Sequence, residues 1–256
     1  SLDNINDSKN KLRFNNFAYS MRELSRHILY SLSPDQDVLN CSWYKNETTK
    51  PNGISRGQRI KYAIQGGLED SFVDIELVEI AKINSIKKKL KGSIDLLSKY
   101  THVNPNTFDI PDMEMIRLSE EVMTHLIEFA KTIIDSRKMI IYEIDEKISD
   151  EFIEHSISET IDEVDILATH HNTEEISVDH TGISKILSDR ILINVEGFVS
   201  VRLQWGSNSD LKNDIGAEMY DSFPYSGTVE VKLNGSFENA EVSITNFNVN
   251  TDSWYE

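Results

Sequence analysis

The chain has 256 residues, 39% of them hydrophobic, with 26 Lys and Arg against 43 Asp and Glu and a formal net charge of −17. That length suits one large domain or two modest ones, and the apolar fraction is that of an ordinary folded protein. No apolar run approaches the ~18–20 residues of a membrane span, and one cysteine, Cys41, excludes an intramolecular disulfide or a multi-cysteine zinc site.

The opening Ser1-Leu2-Asp3-Asn4 has neither the basic nor the apolar segment of a secretory leader. A cytoplasmic location is therefore expected, and the Asn46-Glu47-Thr48 sequon reads as chance. The charge is uneven. Residues 1–100 hold 16 Lys and Arg against 12 Asp and Glu, and the remaining 156 hold 10 against 31. Lys82, Lys87, Lys88, Lys89, Lys91 and Lys99 crowd one stretch, opposed there by Asp95. Such a run meets phosphates or serves as a solvated helix face. Arg56, Arg59, Lys61, Lys87, Lys88 and Lys89 are the residues expected to touch nucleic acid.

The first predicted helix covers 16–32, with Phe17, Met21, Leu24, Ile28 and Leu32 at three- and four-residue steps and Ser33-Pro34-Asp35 as its stop. A turn-rich stretch, 41–57, carries Trp43, Tyr44 and Pro51-Asn52-Gly53, and a short helix over 59–65 ends at Gly66-Gly67. One or two helices follow over 74–100, with Ile75, Val78, Ile83, Ile86, Leu90, Ile94 and Leu97 as expected core. The strongest helical pattern runs over 112–147, where Ile116, Met123, Ile127, Ala130, Ile134, Ile141 and Ile144 form an apolar stripe. It is longer than one small partner helix covers, so part is expected to face a second chain in a homodimer at micromolar concentration. Ser149 is expected to cap a second acidic helix, with Phe152 or Ile153, Ile157, Ile161, Val164 and Ala168 inward. The two would make a long antiparallel helical hairpin.

After His171 the period changes. Val199, Val201, Leu203 and Trp205 alternate with polar residues within 191–205, as a half-buried strand requires. Residues 228–233 form another strand, Asn234-Gly235 a turn, and 242–244 a continuation in which Phe247 and Val249 fall out of phase, as at a bulge. The reading is an α+β protein, with a helical domain over 1–172 and a small antiparallel β domain over 173–256.

Four constellations could carry chemistry. Arg22 and His27 match the R-x4-H signature of HEPN-type ribonucleases, in which imidazole moves the 2′-hydroxyl proton and guanidinium steadies the phosphate. A five-residue step turns ~140° along a helix, so the alternative reading is a surface Arg and a half-buried His. His170-His171, with Asp165, Glu174, Glu175, Asp179 and His180 nearby, offers metal ligands or a polar helix end. Asp221 with Glu230 and Lys232 resembles the D…E-x-K pattern of restriction-endonuclease-like nucleases, where carboxylates hold a divalent ion and lysine positions water. An outward E-x-K pair is also commonplace on an amphipathic strand. The segment 204–214, rich in Ser, Asn and Asp, reads as a recognition or catalytic loop with Asp210 and Asp214 acting, or as a structured turn. In a metal-dependent nuclease, Asp210 and Asp214 would hold Mg or Mn.

Several strings resemble a family from bacterial conflict systems, the predicted pPIWI-associating nucleases. They are Phe17-Ala18-Tyr19-Ser20-Met21-Arg22-Glu23-Leu24, Cys41-Ser42-Trp43-Tyr44, Arg59-Ile60-Lys61-Tyr62-Ala63-Ile64-Gln65-Gly66-Gly67-Leu68 and Ser98-Lys99-Tyr100-Thr101-His102. Ile166-Leu167-Ala168-Thr169-His170-His171, the segment 203–214 and Ser253-Trp254-Tyr255 belong with them. The resemblance implies a nuclease or nucleic-acid-sensing component of an anti-phage defence system, working beside an Argonaute-like partner. The alternatives are a non-catalytic interaction module and a HEPN-like, metal-independent RNase.

Overall fold

A computed structural model describes Ile5, Asp7 and residues 9–255; Ser1-Leu2-Asp3-Asn4, read above for a leader, lie outside the described residues. The chain divides into two compact units, 1–138 and 139–256.

The first unit is helical: α1 (Arg13–Leu32), α2 (Asp35–Leu39), α3 (Arg56–Gln65), α4 (Asp70–Glu76), α5 (Ile80–Tyr100) and the part of α6 (Asp112–Ser158) up to Lys138. In α1 the inward residues are Phe14, Phe17, Ala18, Met21, Ser25 and Leu29, while Leu24 is 49% exposed. The expected stripe is therefore corrected by a rotation, because the aromatic Phe14 and Phe17 bury more area than Leu24 and Ile28. Ile83, Ile86, Leu90, Ile94 and Leu97 of α5 are buried as expected, but Ile75 on α4 is 80% exposed.

The helical hairpin lies one connection earlier than expected. α5 and α6 run antiparallel: Lys89 pairs with Glu128 at 3.0 Å, Ser93 Oγ lies 2.7 Å from His125 Nδ1, and Leu97 and Tyr100 cluster with Met115, Leu118 and Val122. No turn interrupts the chain at 147–149, where one helix continues to Ser158. The reason is local. That stretch has no Gly or Pro, and Ile140, Ile144, Ile148 and Phe152, all fully buried, extend one stripe through it. The stripe itself needs the same correction as α1. Met115, Leu118, Val122, Phe129 and Ile133 are buried, while Ile116, Ile127 and Ile134 are about half exposed.

The second unit holds the rest of α6, a single turn α7 (Asp162–Asp165) and four strands: β1 (His170–Ile186), β2 (Arg190–Trp205), β3 (Ala217–Lys232) and β4 (Glu241–Val249). They form one antiparallel meander in that order. β2 and β3 pair without a shift from Arg190↔Lys232 to Trp205↔Ala217, so alternation holds along both. Val195, Val199, Val201 and Leu203 of β2 and Phe223, Tyr225, Val229 and Val231 of β3 supply the buried face. The Phe152 ring of α6 sits 5.1 Å from Tyr225 and 5.9 Å from Phe247. The out-of-phase end of β4 is a bulge, since Thr228 pairs with Asn246 and Val229 with Ile244. β1 was not read from the sequence, because as an edge strand it shows the mixed burial of a polar segment. No helix among the described residues is long and apolar enough to cross a membrane.

Candidate nucleic-acid interface

Positive side chains converge on α3 and α5 of the first unit. Ser55 caps α3 in a reciprocal box, its hydroxyl accepting from the Gln58 amide while Gln58 Oε1 accepts from Ser55 N at 2.8 Å. The stretch before it is tied down on three sides. Trp43 Nε1 donates to Gly66 O, Tyr44 Oη to Gly53 O, and Ser55 Oγ to Glu47 Oε2. The result is a cleft of about 650 Å3 lined by Trp43, Glu47, Ser55, Arg56, Gly57, Gln58, Lys61, Lys87, Lys88 and Lys91. Five cations face one carboxylate in it, at the positive end of a helix.

Each cation is placed by helix geometry. Lys87, Lys88 and Lys91 are one and four residues apart and share a side of α5; a Cβ on Gly57 would come 3.2 Å from Lys87 Cδ, so glycine leaves Lys87 room to lie along α3. Lys61 lies 4.4 Å from the Trp43 ring centre and pairs with Asp70 at 2.7 Å. Arg56 reaches Asp95 at 2.8 Å, with both side chains about half exposed, so the pair is weak and open to exchange for a phosphate. Arg56 also lines a second cavity, of about 270 Å3, with Arg22, Arg26 and Arg59. The two cavities, which share Arg56 in their linings, are together the basic groove.

The expected nucleic-acid residues divide on this frame. Arg56, Lys61, Lys87 and Lys88 line the first cleft. Arg59 is 5% exposed and braces the fold: it donates to Ser33 O at 2.7 Å, pairs with Asp35 at 2.6 Å and lies 3.8 Å over Tyr30. Lys89 points to Glu128 instead. Trp43 and Gly57 join the site without having been singled out for it, and so does one residue named only as part of the lysine run, Lys91. The i, i+4 relation of Lys87 to Lys91 was the available signal for the last. Cys41 is buried, and burial pushes its thiol up to about 12, so it is a packing group and no nucleophile.

The other candidates lie outside the first cleft, Arg22 lining the second cavity. Arg22 is held by Glu23 at 2.9 Å and donates to Thr101, while His27 is exposed ~140° round the helix, so one chain does not bring them together. Asp221 has the parity of buried Phe223 and Tyr225, whereas Glu230 and Lys232 lie on the other face of β3, ~30 Å along the strand. Glu230 accepts from Arg190 Nη1 at 3.1 and 3.2 Å. His171 Nδ1 lies 3.3 Å from Asp165, and Glu174 turns to Arg202.

Residues 207–214 contain a short helix, α8 (Asn208–Lys212), with Ser207 as its cap. Asp210 Oδ2 accepts from Ser207 N at 2.7 Å and from Ser207 Oγ at 2.8 Å, and Asp214 takes a left-handed φ of 57°. The Ser207 amide, then its hydroxyl, hold the Asp210 carboxyl below the usual range. With a depressed pKa, that stabilisation is present above the ordinary carboxylate pKa and lost as pH falls through the Asp210 value. Asp210→Asn should lower the melting temperature by about 2–4 °C at neutral pH and leave nucleic-acid affinity unchanged. A lost affinity at unchanged melting temperature would instead make Asp210 part of the functional site. Among the described residues no group of three or more His, Cys, Asp and Glu is arranged to hold a metal ion.

Comparison with known proteins adds a family. Two family models match the chain, over residues 1–126 and 133–255, and both are described as predicted pPIWI-associating nuclease. No curated protein and no solved structure matches. The first model takes in the basic groove, the second the whole sheet, and the strings that carried the resemblance fall in both. Matched along nearly its full length, the chain belongs to the predicted pPIWI-associating nuclease family.

Proposed function

We propose that this protein is the nucleic-acid-handling component, a nuclease or a sensor, of a bacterial anti-phage system. It works in the cytoplasm as a homodimer beside an Argonaute-like partner, and nucleic acid docks in the basic groove of the helical region. The observation that carries this reading is the cleft in which Arg56, Lys61, Lys87, Lys88 and Lys91 face Glu47. Residues 139–256, with 6 Lys and Arg against 24 Asp and Glu, offer phosphates far less. The family description supplies the nuclease and the association with pPIWI.

The test is binding of labelled single-stranded RNA and DNA at several salt concentrations. Lys87→Glu/Lys88→Glu/Lys91→Glu should weaken binding ~10–100-fold and reduce the slope of log affinity against log salt by about 2–3. Lys89→Glu, which disturbs only the Glu128 pair, should change little. Equal affinities and slopes for all three proteins would remove the groove from consideration. Cleavage assays separate the chemistry: a divalent-ion requirement supports a metal-dependent nuclease, EDTA-resistant RNA cleavage supports Arg22 and His27, and binding without cleavage supports a sensor.

A further inference from the structure

α6 carries a second apolar stripe that the first unit leaves open. Ile116, Ile127 and Ile134 are 49%, 61% and 52% exposed, although Met115, Leu118, Val122 and Phe129 on the inward side are buried. At ~100° per residue, Ile116, Ile127, Ala130 and Ile134 fall within ~60° of one another and ~120° from the centre of the buried stripe, with Met123 between them half-buried against the inner cluster. The open stripe is ~27 Å long. Single exposed apolar residues are ordinary, but Ile116, Ile127, Ala130 and Ile134 aligned along one side of a helix mark a contact surface.

We propose that this stripe packs against the same stripe of a second copy, antiparallel, about a two-fold axis level with His125. The inference rests on the homodimer of the proposed function and adds its geometry. The argument is the order of charges along one flank. Arg117, Glu120, Lys131 and Asp135 are all exposed and follow one another on the same side of the stripe. A two-fold axis perpendicular to the helix keeps that flank on the same side in both copies and reverses its order. Ile116 then meets Ile134, Ile127 comes over the half-buried Met123, Glu120 comes within one turn of Lys131, and Arg117 within one turn of Asp135. Both of these pairs are opposite in sign, which is the arrangement that favours an antiparallel register. Arg117 is already bonded to Glu114 and Glu121, so Glu120 and Lys131 are the pair on which the test turns. One helix pair of this length lies at the small end of specific interfaces.

Light scattering or sedimentation across the micromolar range should give twice 29.3 kDa. Ile127→Glu should raise the dissociation constant at least ~10-fold with unchanged circular dichroism, because its side chain is exposed. Glu120→Lys and Lys131→Glu should each weaken the dimer, and the double exchange E120K/K131E should restore it. A wild-type mass of 29.3 kDa throughout overturns the pairing, as does an Ile127→Glu dimer of wild-type strength or a double exchange weaker than either single one. A different protein seated on the stripe of a monomeric chain overturns it as well. A monomer that still binds RNA or DNA through Lys87, Lys88 and Lys91 overturns the pairing and leaves the nucleic-acid reading standing.

Discussion

Gly197→Ala should unfold the sheet or leave it markedly weaker, while Gly182→Ala in the neighbouring strand should be tolerated. A Cβ at Gly197 would stand 1.8 Å from Ser177 O and 2.9 Å from Tyr225 Cε1. The first is a backbone oxygen of β1, beside the paired Phe198 and Ser177, so it cannot retreat without opening the ladder. The second is a ring 3% exposed, with no space to rotate into. Overpacking of ordinary cores costs ~1–3 kcal/mol, and a clash with backbone belongs at or beyond the top of that range. At Gly182 an added Cβ would meet only His180 Nε2, at 3.9 Å. Thermal melts of the two variants decide the matter. Equal melting temperatures would mean that β1 and β2 are not paired in this register.

Removing the Phe152 ring is the second large effect. Phe152 is fully buried, lies against Tyr225 and Phe247, and its Cζ would be 2.9 Å from a Cβ on Gly227. Glycine stands in this central strand because α6 brings an aromatic ring onto the backbone there. Phe152→Ala should cost ~3–5 kcal/mol in urea or thermal unfolding. Gly227→Ala should cost ~1–3 kcal/mol through the opposite fault, and Phe152→Leu should relieve part of it. The double variant Phe152→Leu/Gly227→Ala is therefore expected to lose less than the two single losses together, by ~1 kcal/mol. Strict additivity would show that ring and glycine do not touch.

The α+β class and the order of helices before strands were legible in the sequence, because a change from a 3.6-residue to a 2-residue period survives any rotation of the elements. The β4 bulge was legible too, since Phe247 and Val249 break the alternation on which a flat ladder depends. The capped turn at 207–210 was visible as a run of Ser, Asn and Asp, but its direction was not. Whether Asp210 serves a ligand or its own backbone depends on where Ser207 N points. The basic groove was half legible. Lys87, Lys88 and Lys89 are equivalent as letters, and only the helix rotation set by Ile83, Ile86 and Leu90 sends Lys87 and Lys88 into the cleft and Lys89 toward Glu128.

What the sequence by itself determined about α6 is that it is a helix with more apolar surface than one neighbour covers. It could not say which of two apolar rows faces inward, because Met115, Leu118, Val122 and Phe129 and the row from Ile116 to Ile134 both obey helical spacing. Tertiary packing decided it. Leu97 and Tyr100 of α5, with Phe14 and Phe17 of α1, form a cluster that takes Met115, Leu118 and Val122. A long-range contact of that kind joins residues about a hundred positions apart, and no local period contains it. The same limit hid the true partner of the hairpin and the edge strand β1, whose place comes from the 14 Cα-paired positions it shares with β2 rather than from its own alternation.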